Sequence, residues 1–194
     1  MDGEGYMVTI LHRGEHAHLE NGCTKRKSSA VLIRAAGVSS PEKDITCVIC
    51  TDGRAENVGC MSLFQNADMM IVGYDIQKRG DIFLEHDFSD GVVPYEFDEN
   101  LYVIGTPGQR GHQVSLMVKG CLQGCLDDDQ TPKFGQIAIT GNHGDKLCDK
   151  ENSISNWRRS RKYVLDRADW IIPAYGEAFK VKPEYVSTPC VELV

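Results

Sequence analysis

Long hydrophobic runs are missing from this 194-residue sequence, and so is any excess of positive charge. No apolar stretch approaches the length of a membrane span. The segment MDGEGYMVTI lacks a basic region, an apolar core and a cleavage site, which sets the expectation of an intracellular protein, cytoplasmic or nuclear, with no membrane partner. The formal charge of −7 argues against a surface built mainly to hold nucleic acid, although a local basic patch is compatible with it. Internal repeats and low-complexity linkers are absent too. No serine or cysteine stands with a histidine and an acid at nucleophile-elbow spacing. What is present, 41% hydrophobic and 25% charged residues, has the composition of a soluble globular chain. The length suits a single domain over 1–194, with a loosely held tail over about 183–194.

Eight cysteines are the exception to this plainness: Cys23, Cys47, Cys50, Cys60, Cys121, Cys125, Cys148 and Cys190. Without a secretory signal, free thiols are expected rather than disulfides. Cys47 and Cys50 form a CxxC inside an apparent strand, where they point to opposite faces. Cys121 and Cys125 have the wrong spacing to complete a zinc ribbon. Buried or incidental thiols are the expectation.

Strand-like runs occur at 7–11, 29–35, 45–50, 68–74, 101–105, 113–119, 136–140 and 169–174, each rich in Val, Ile, Leu or aromatic residues and bounded by Gly, Pro, Asp or Asn. Two helices are expected. One covers about Glu56 to Phe64, with Val58, Met61 and Phe64 at helical spacing. The other follows Ser153 and sets Ile154, Trp157, Arg161, Val164, Leu165 and Ala168 on one face. Many strands with few helices point to an α/β sandwich with sheets at its centre. The segment 120–135 reads as a hairpin loop.

Four turns follow apolar strands and carry a glycine that permits a sharp reversal: TDGRAENVG (51–59), TPGQRGHQVS (106–115), TGNHGD (140–145) and PAYGE (173–177). Such strand-end turns can gather at one edge of a fold and form a site. Their order and spacing resemble the metallo-β-lactamase superfamily, with T-H-x-H-x-D-H-x-G, then T-P-G-H, a G-D turn and a final P-G-H-G. The segments SLFQNADMMIVGYD and WRRSRKYVLDRADWIIPAYGEAFKV are similar to those of its small single-domain subgroup. The resemblance spans about Met7 to Val181. It implies an αββα sandwich with a metal site at one edge of its two sheets, here reduced, because GVSSPEKDITCVIC leaves no room for one helix.

Carried over residue by residue, the resemblance puts Asp52, Arg54, Glu56 and Asn57 at the first four ligand positions, Gln109 at the next, Asn142 at the bridging aspartate and Tyr175 at the last histidine. Arg34 stands nearest the aspartate that usually ends the second strand. The neighbours Thr51, Gly59, Thr106, Pro107, Gly108, Gly141, Pro173 and Gly176 keep the pattern. Zinc needs imidazole nitrogens and carboxylates close around it, and amide carbonyls and a protonated phenol are poor substitutes. A guanidinium has no lone pair to give and repels the ion. An Arg54–carboxylate network with Asp52 and Glu56, through bidentate hydrogen bonds, is expected in place of metal.

Other groupings carry plainer readings. HRGEHAH (12–18) reads as a solvated polar loop, while the alternative is a relocated metal site in which His16 or His18 joins His112 or His143. TPGQRG and TGNHGD could cradle an anion. WRRSRK reads as a solvent face with Trp157 in the core rather than an RNA-contacting helix, and Asp127, Asp128 and Asp129 as a loop tip. The resemblance with its replaced ligands leads to the expectation of a catalytically inactive, cofactor-free member of the fold. It would serve as a binding or scaffolding subunit with a protein partner or a second copy, by analogy in an RNA-processing complex where RNA is met only indirectly or weakly. The alternatives are a hydrolase or nuclease using Asp52, Glu56 and His112, and a small-molecule sensor that kept the cleft.

Overall fold

The computed structural model describes residues 5–35, 45–89, 93–108, 111–123, 133–141 and 155–187. The apolar runs form the expected strands: β1 (Tyr6–His12), β4 (Ala30–Ala35), β5 (Cys47–Cys50), β6 (Met69–Val72), β10 (Leu101–Gly105), β11 (Val114–Gln123), β12 (Lys133–Ile139) and β13 (Trp170–Ile172). Six further strands occur among the described residues: β2 (Glu15–His18), β3 (Thr24–Lys27), β7 (Asp75–Lys78), β8 (Ile82–Leu84), β9 (Tyr95–Asp98) and β14 (Phe179–Lys180).

The larger sheet runs β14-β13-β12-β11-β1-β4, with β10 beside β11 and β9 beside β10. Its organiser is β11, whose first half pairs antiparallel with β10 and whose second half pairs parallel with β1. The smaller sheet runs β5-β6-β7-β8. Between the sheets, Val8, Val103, Val114, Leu116, Val118 and Ile172 pack with Ile71 and Ile76 in one core. Each such buried side chain contributes roughly 1.5–3 kcal/mol relative to exposure. Met117 turns to the opposite face of β11, where Ala138, Ile171 and Phe179 meet Val164 and Leu165 of helix α2 (Ser155–Leu165). Burial on both faces explains why β11 reads as one apolar run. The result is a mixed α/β, mostly sheet sandwich, the architecture that the resemblance implies.

Four expectations are corrected. HRGEHAH is no loop: Glu15–His18 pairs antiparallel with Thr24–Lys27 as a separate two-stranded ribbon. Exposed on both sides, the ribbon shows no apolar alternation by which it could be recognised. The helix expected over 56–64 is two short pieces, α1 (Ala55–Val58) and a 3₁₀ turn (Met61–Phe64), parted at Gly59 and Cys60. The tail expected from 183 begins with helix α3 (Pro183–Ser187), where Tyr185 meets the ring of Phe179 edge-on. The hairpin loop of 120–135 is shorter, since β11 and β12 stay paired to Leu122 and Lys133. Residues 124–132, with Cys125 and Asp127 to Asp129, lie outside the described residues, as do 36–44, where a helix is expected to be missing. Helix α2 buries Trp157, Arg161, Val164 and Leu165 as expected, and Ile154 lies outside the described residues.

Candidate functional site

The turn after β5 starts the site. Thr51 O accepts from Val114 N at 2.9 Å, which fixes the strand end against the start of β11. The next residue, Asp52, is buried. Its Oδ1 accepts from Arg54 N at 3.0 Å and from Asn57 Nδ2 at 2.5 Å, and its Oδ2 accepts from Gln113 Nε2 at 2.6 Å. The short helix α1 is what brings Asn57 back over the turn, and the Asn57 carbonyl oxygen in its side chain accepts from Ser28 Oγ. Gln113 is fully buried at the foot of β11, its amide lying directly against Gly108, where a Cβ would fall 1.6 Å from Oε1.

Arg54 lies beside this carboxylate, with Nε 3.3 Å from Asp52 Oδ2 and both side chains almost fully buried. The expected bidentate geometry is not formed. Nε sits within ion-pair distance but is not aligned to donate, and it has no hydrogen bond among the described residues. Glu56 does not join Arg54 in a carboxylate–guanidinium fork either; its Oε1 accepts from the Tyr175 hydroxyl at 3.0 Å. The Tyr175 hydroxyl is held above its ordinary range first by burial and then by the Glu56 carboxylate, while Arg54 beside it pulls it back. The expected bidentate Arg54 network is therefore not formed, and hydrogen bonds from amides and a phenol hold these carboxylates instead.

The β2–β3 ribbon closes over Tyr175. Gly14, just before β2, meets Gly176 as an isolated bridge, with Gly176 N donating to Gly14 O at 3.0 Å. The approach demands glycine, because a Cβ on Gly14 would fall 1.9 Å from Ala174 O. Arg13 pairs with Glu177 alongside. Held this way, the His16 ring stacks on Tyr175 at 5.3 Å and meets His18 edge-on at 5.2 Å.

The structure thus gathers Asp52, Arg54, Glu56, Asn57 and Tyr175 at one sheet edge and adds Gln113, Ser28 and His16. Gln109, Asn142 and His143 lie outside the described residues. His112 is directed elsewhere, stacked on Tyr74 at 4.9 Å. Among the described residues no three His, Cys, Asp or Glu are grouped to hold a metal ion. Two partners escaped the sequence reading. Gln113 carries no motif signal beyond being a polar residue at the head of an apolar run, and Ser28 sits in the unremarkable KSSA. Cys50, next to the turn, has its thiol pushed up to about 11 by burial and then by the Asp52 charge, so it is no thiolate nucleophile at neutral pH.

The described residues at the implied zinc positions do not fit zinc. Both Asp52 oxygens are already engaged by donors, Asn57 presents its NH₂ toward Asp52, and the Tyr175 hydroxyl is spent on Glu56. Arg54 places a permanent cation with no lone pair where a ligand is needed. The arrangement presents donors, acceptors and ring faces that can bind a polar group. It offers a polar floor built on Asp52, Gln113 and Asn57, with the Tyr175 phenol and the His16 imidazole stacked above it.

No protein-family model matches the chain. The Xenopus laevis metallo-beta-lactamase domain-containing protein 1 is 33% identical over 150 residues, covering 71% of this chain and 57% of that protein. The human protein of the same name is 28% identical over 166 residues, covering 80% of this chain and 56% of that protein. The chain thus spans a little over half the length of these curated relatives. The crystal structure of a provisionally assigned metallo-beta-lactamase from Thermotoga maritima aligns with a TM-score of 0.60 over 91% of this chain and 99% of that one. At 15% identity, that likeness is one of fold.

Proposed function

Because this chain belongs to the metallo-β-lactamase superfamily, we propose that it is a member in which a hydrogen-bonded cluster has taken the place of the metal, and that it works by binding rather than by catalysis. Its role in this reading is that of a protein-binding or scaffolding subunit, engaging a partner protein or a second copy. An RNA-processing assembly is one setting for such a subunit, offered by analogy with the fold alone.

The observation that carries the reading is the state of Asp52. A carboxylate that would serve a dication instead accepts from a backbone amide, an asparagine and a glutamine while facing a guanidinium. Both Asp52 oxygens are satisfied in this way, while Arg54 Nε and Gln113 Oε1 stay buried without a hydrogen bond among the described residues. The Arg54 cation also offsets the Asp52 charge, the service that metal gives in other members. The test is turnover of ester, thioester and RNA substrates by purified protein supplied with zinc. No turnover above the protein-free control is expected. Turnover that disappears in Asp52→Ala or His112→Ala would overturn the proposal.

A further inference from the structure

The smaller sheet ends on β8, and among the described residues no strand pairs with its outer side. Its side chains do nothing to blunt that edge, with Ile82 57% and Phe83 65% exposed. An open apolar edge is a template for another extended chain. Beside it runs a groove of about 580 Å³ whose lining includes Tyr74, Asp75, Phe83, Glu85, His86 and Asp87.

Charge decides what the groove takes. The β7–β8 register pairs Gln77 with Phe83 and Ile76 with Leu84. Past the last pair, Asp75 and Glu85 flank the hairpin and both line the groove with Phe83. Like charges gathered along one groove repel and favour an opposite charge between them. Asp87 adds a third carboxylate, which accepts from the Ser89 amide and hydroxyl. Three carboxylates against aromatic rings favour an ammonium or guanidinium group.

We propose that the β8 edge and this groove dock an extended basic segment of another protein, added as a strand beside β8. Side chains alternate faces along a strand, so the register fixes the pattern. The segment places an aliphatic residue beside Phe83 and a lysine or arginine two positions on, beside Glu85. The single residue between them lies beside Leu84 and is apolar. The inference gives a partner chemistry to the binding-subunit reading, but it uses none of the Asp52 cluster's residues.

The test uses the full chain and a labelled peptide, Ac-Val-Ile-Lys-Val-Arg-NH₂, with Ac-Val-Ile-Glu-Val-Glu-NH₂ as the control. Saturable binding of the basic peptide is expected, with amide shifts concentrated at 75–87. Asp75→Lys with Glu85→Lys should weaken it by about tenfold or more, the scale of one strong charge contact. Lys78→Glu, on the same hairpin but outside the groove, should change it by less than about twofold, which controls for folding. Absence of saturable binding, equal binding of the acidic peptide, or shifts mapping elsewhere would overturn the proposal. So would self-association of the chain abolished by Phe83→Ser, which would make the occupant a second copy. Zinc content measured on the same samples reports separately on the Asp52 cluster.

Discussion

Replacing Asp52 by alanine is the sharpest perturbation of the cluster. The substitution removes the acceptor for Gln113 Nε2, Asn57 Nδ2 and Arg54 N and leaves a nearly buried guanidinium without its counter-ion. A buried donor left unsatisfied costs about 1–3 kcal/mol. Removing one member of a buried ion pair costs about 3–5 kcal/mol. These losses overlap, because Asn57 can reorient toward solvent while Gln113 is fully buried and cannot. The net expectation is a loss of about 3–5 kcal/mol of stability. For a chain of this size that lowers Tm by roughly 6–20 °C. Thermal unfolding followed by circular dichroism measures it, with and without a chelator. The chelator should leave the parent protein unchanged, since the cluster needs no ion. Asp52→Ala combined with Arg54→Met should cost less than the sum of the single changes, because the stranded charge is removed with its partner. If Asp52→Ala melts within about 2 °C of the parent, the cluster carries no weight and the reasoning fails.

Other consequences can be checked independently. Gly108→Ala drives a methyl group into the Gln113 amide, so it should cost about 1–3 kcal/mol by unseating the Gln113–Asp52 bond, and denaturant unfolding measures the loss. Tyr6, whose hydroxyl donates to Asp98, is pushed up to about 12 by burial and then by that carboxylate. The native state therefore holds this proton more tightly than the unfolded state. Its stabilisation is full below about pH 10 and fades as pH climbs toward about 12. Tyr6→Phe should remove that alkaline component, so the stability difference between the two proteins is constant below about pH 10 and shrinks toward about pH 12. Cys47 and Cys50, each with its thiol pushed up to about 11 chiefly by burial, should resist iodoacetamide at about pH 8 while the exposed Cys23 and Cys60 react, and labelled-peptide mass spectrometry would read the order.

The legible parts of this protein are those where one physical signal dominates. Strands such as LYVIG and AVLIRA announce themselves because their apolar side chains are packed between layers or against a neighbouring strand. EHAH and TKRK do not, because the ribbon they form is solvent-exposed and is held by backbone bonds and by the Gly14–Gly176 contact. Helical spacing at Val58, Met61 and Phe64 is real, yet Gly59 and Cys60 divide it into a turn of α-helix and a 3₁₀ turn. In the site, motif spacing brings Asp52, Arg54, Glu56, Asn57 and Tyr175 to one edge, while their pairing depends on depth. Arg54 was expected to bind Glu56, but Tyr175 reaches that carboxylate. Gln113, the most buried partner of Asp52, comes from a strand foot whose role only the folded chain reveals.

The central claim is that donors and a guanidinium occupy the place of the metal, and elemental analysis tests it most directly. The protein is purified with zinc present throughout, dialysed, and measured by mass spectrometry of the elements beside its Asp52→Ala variant. The account predicts far less than one zinc per chain in both. One or two zinc ions per chain in the parent, lost in Asp52→Ala, would contradict it.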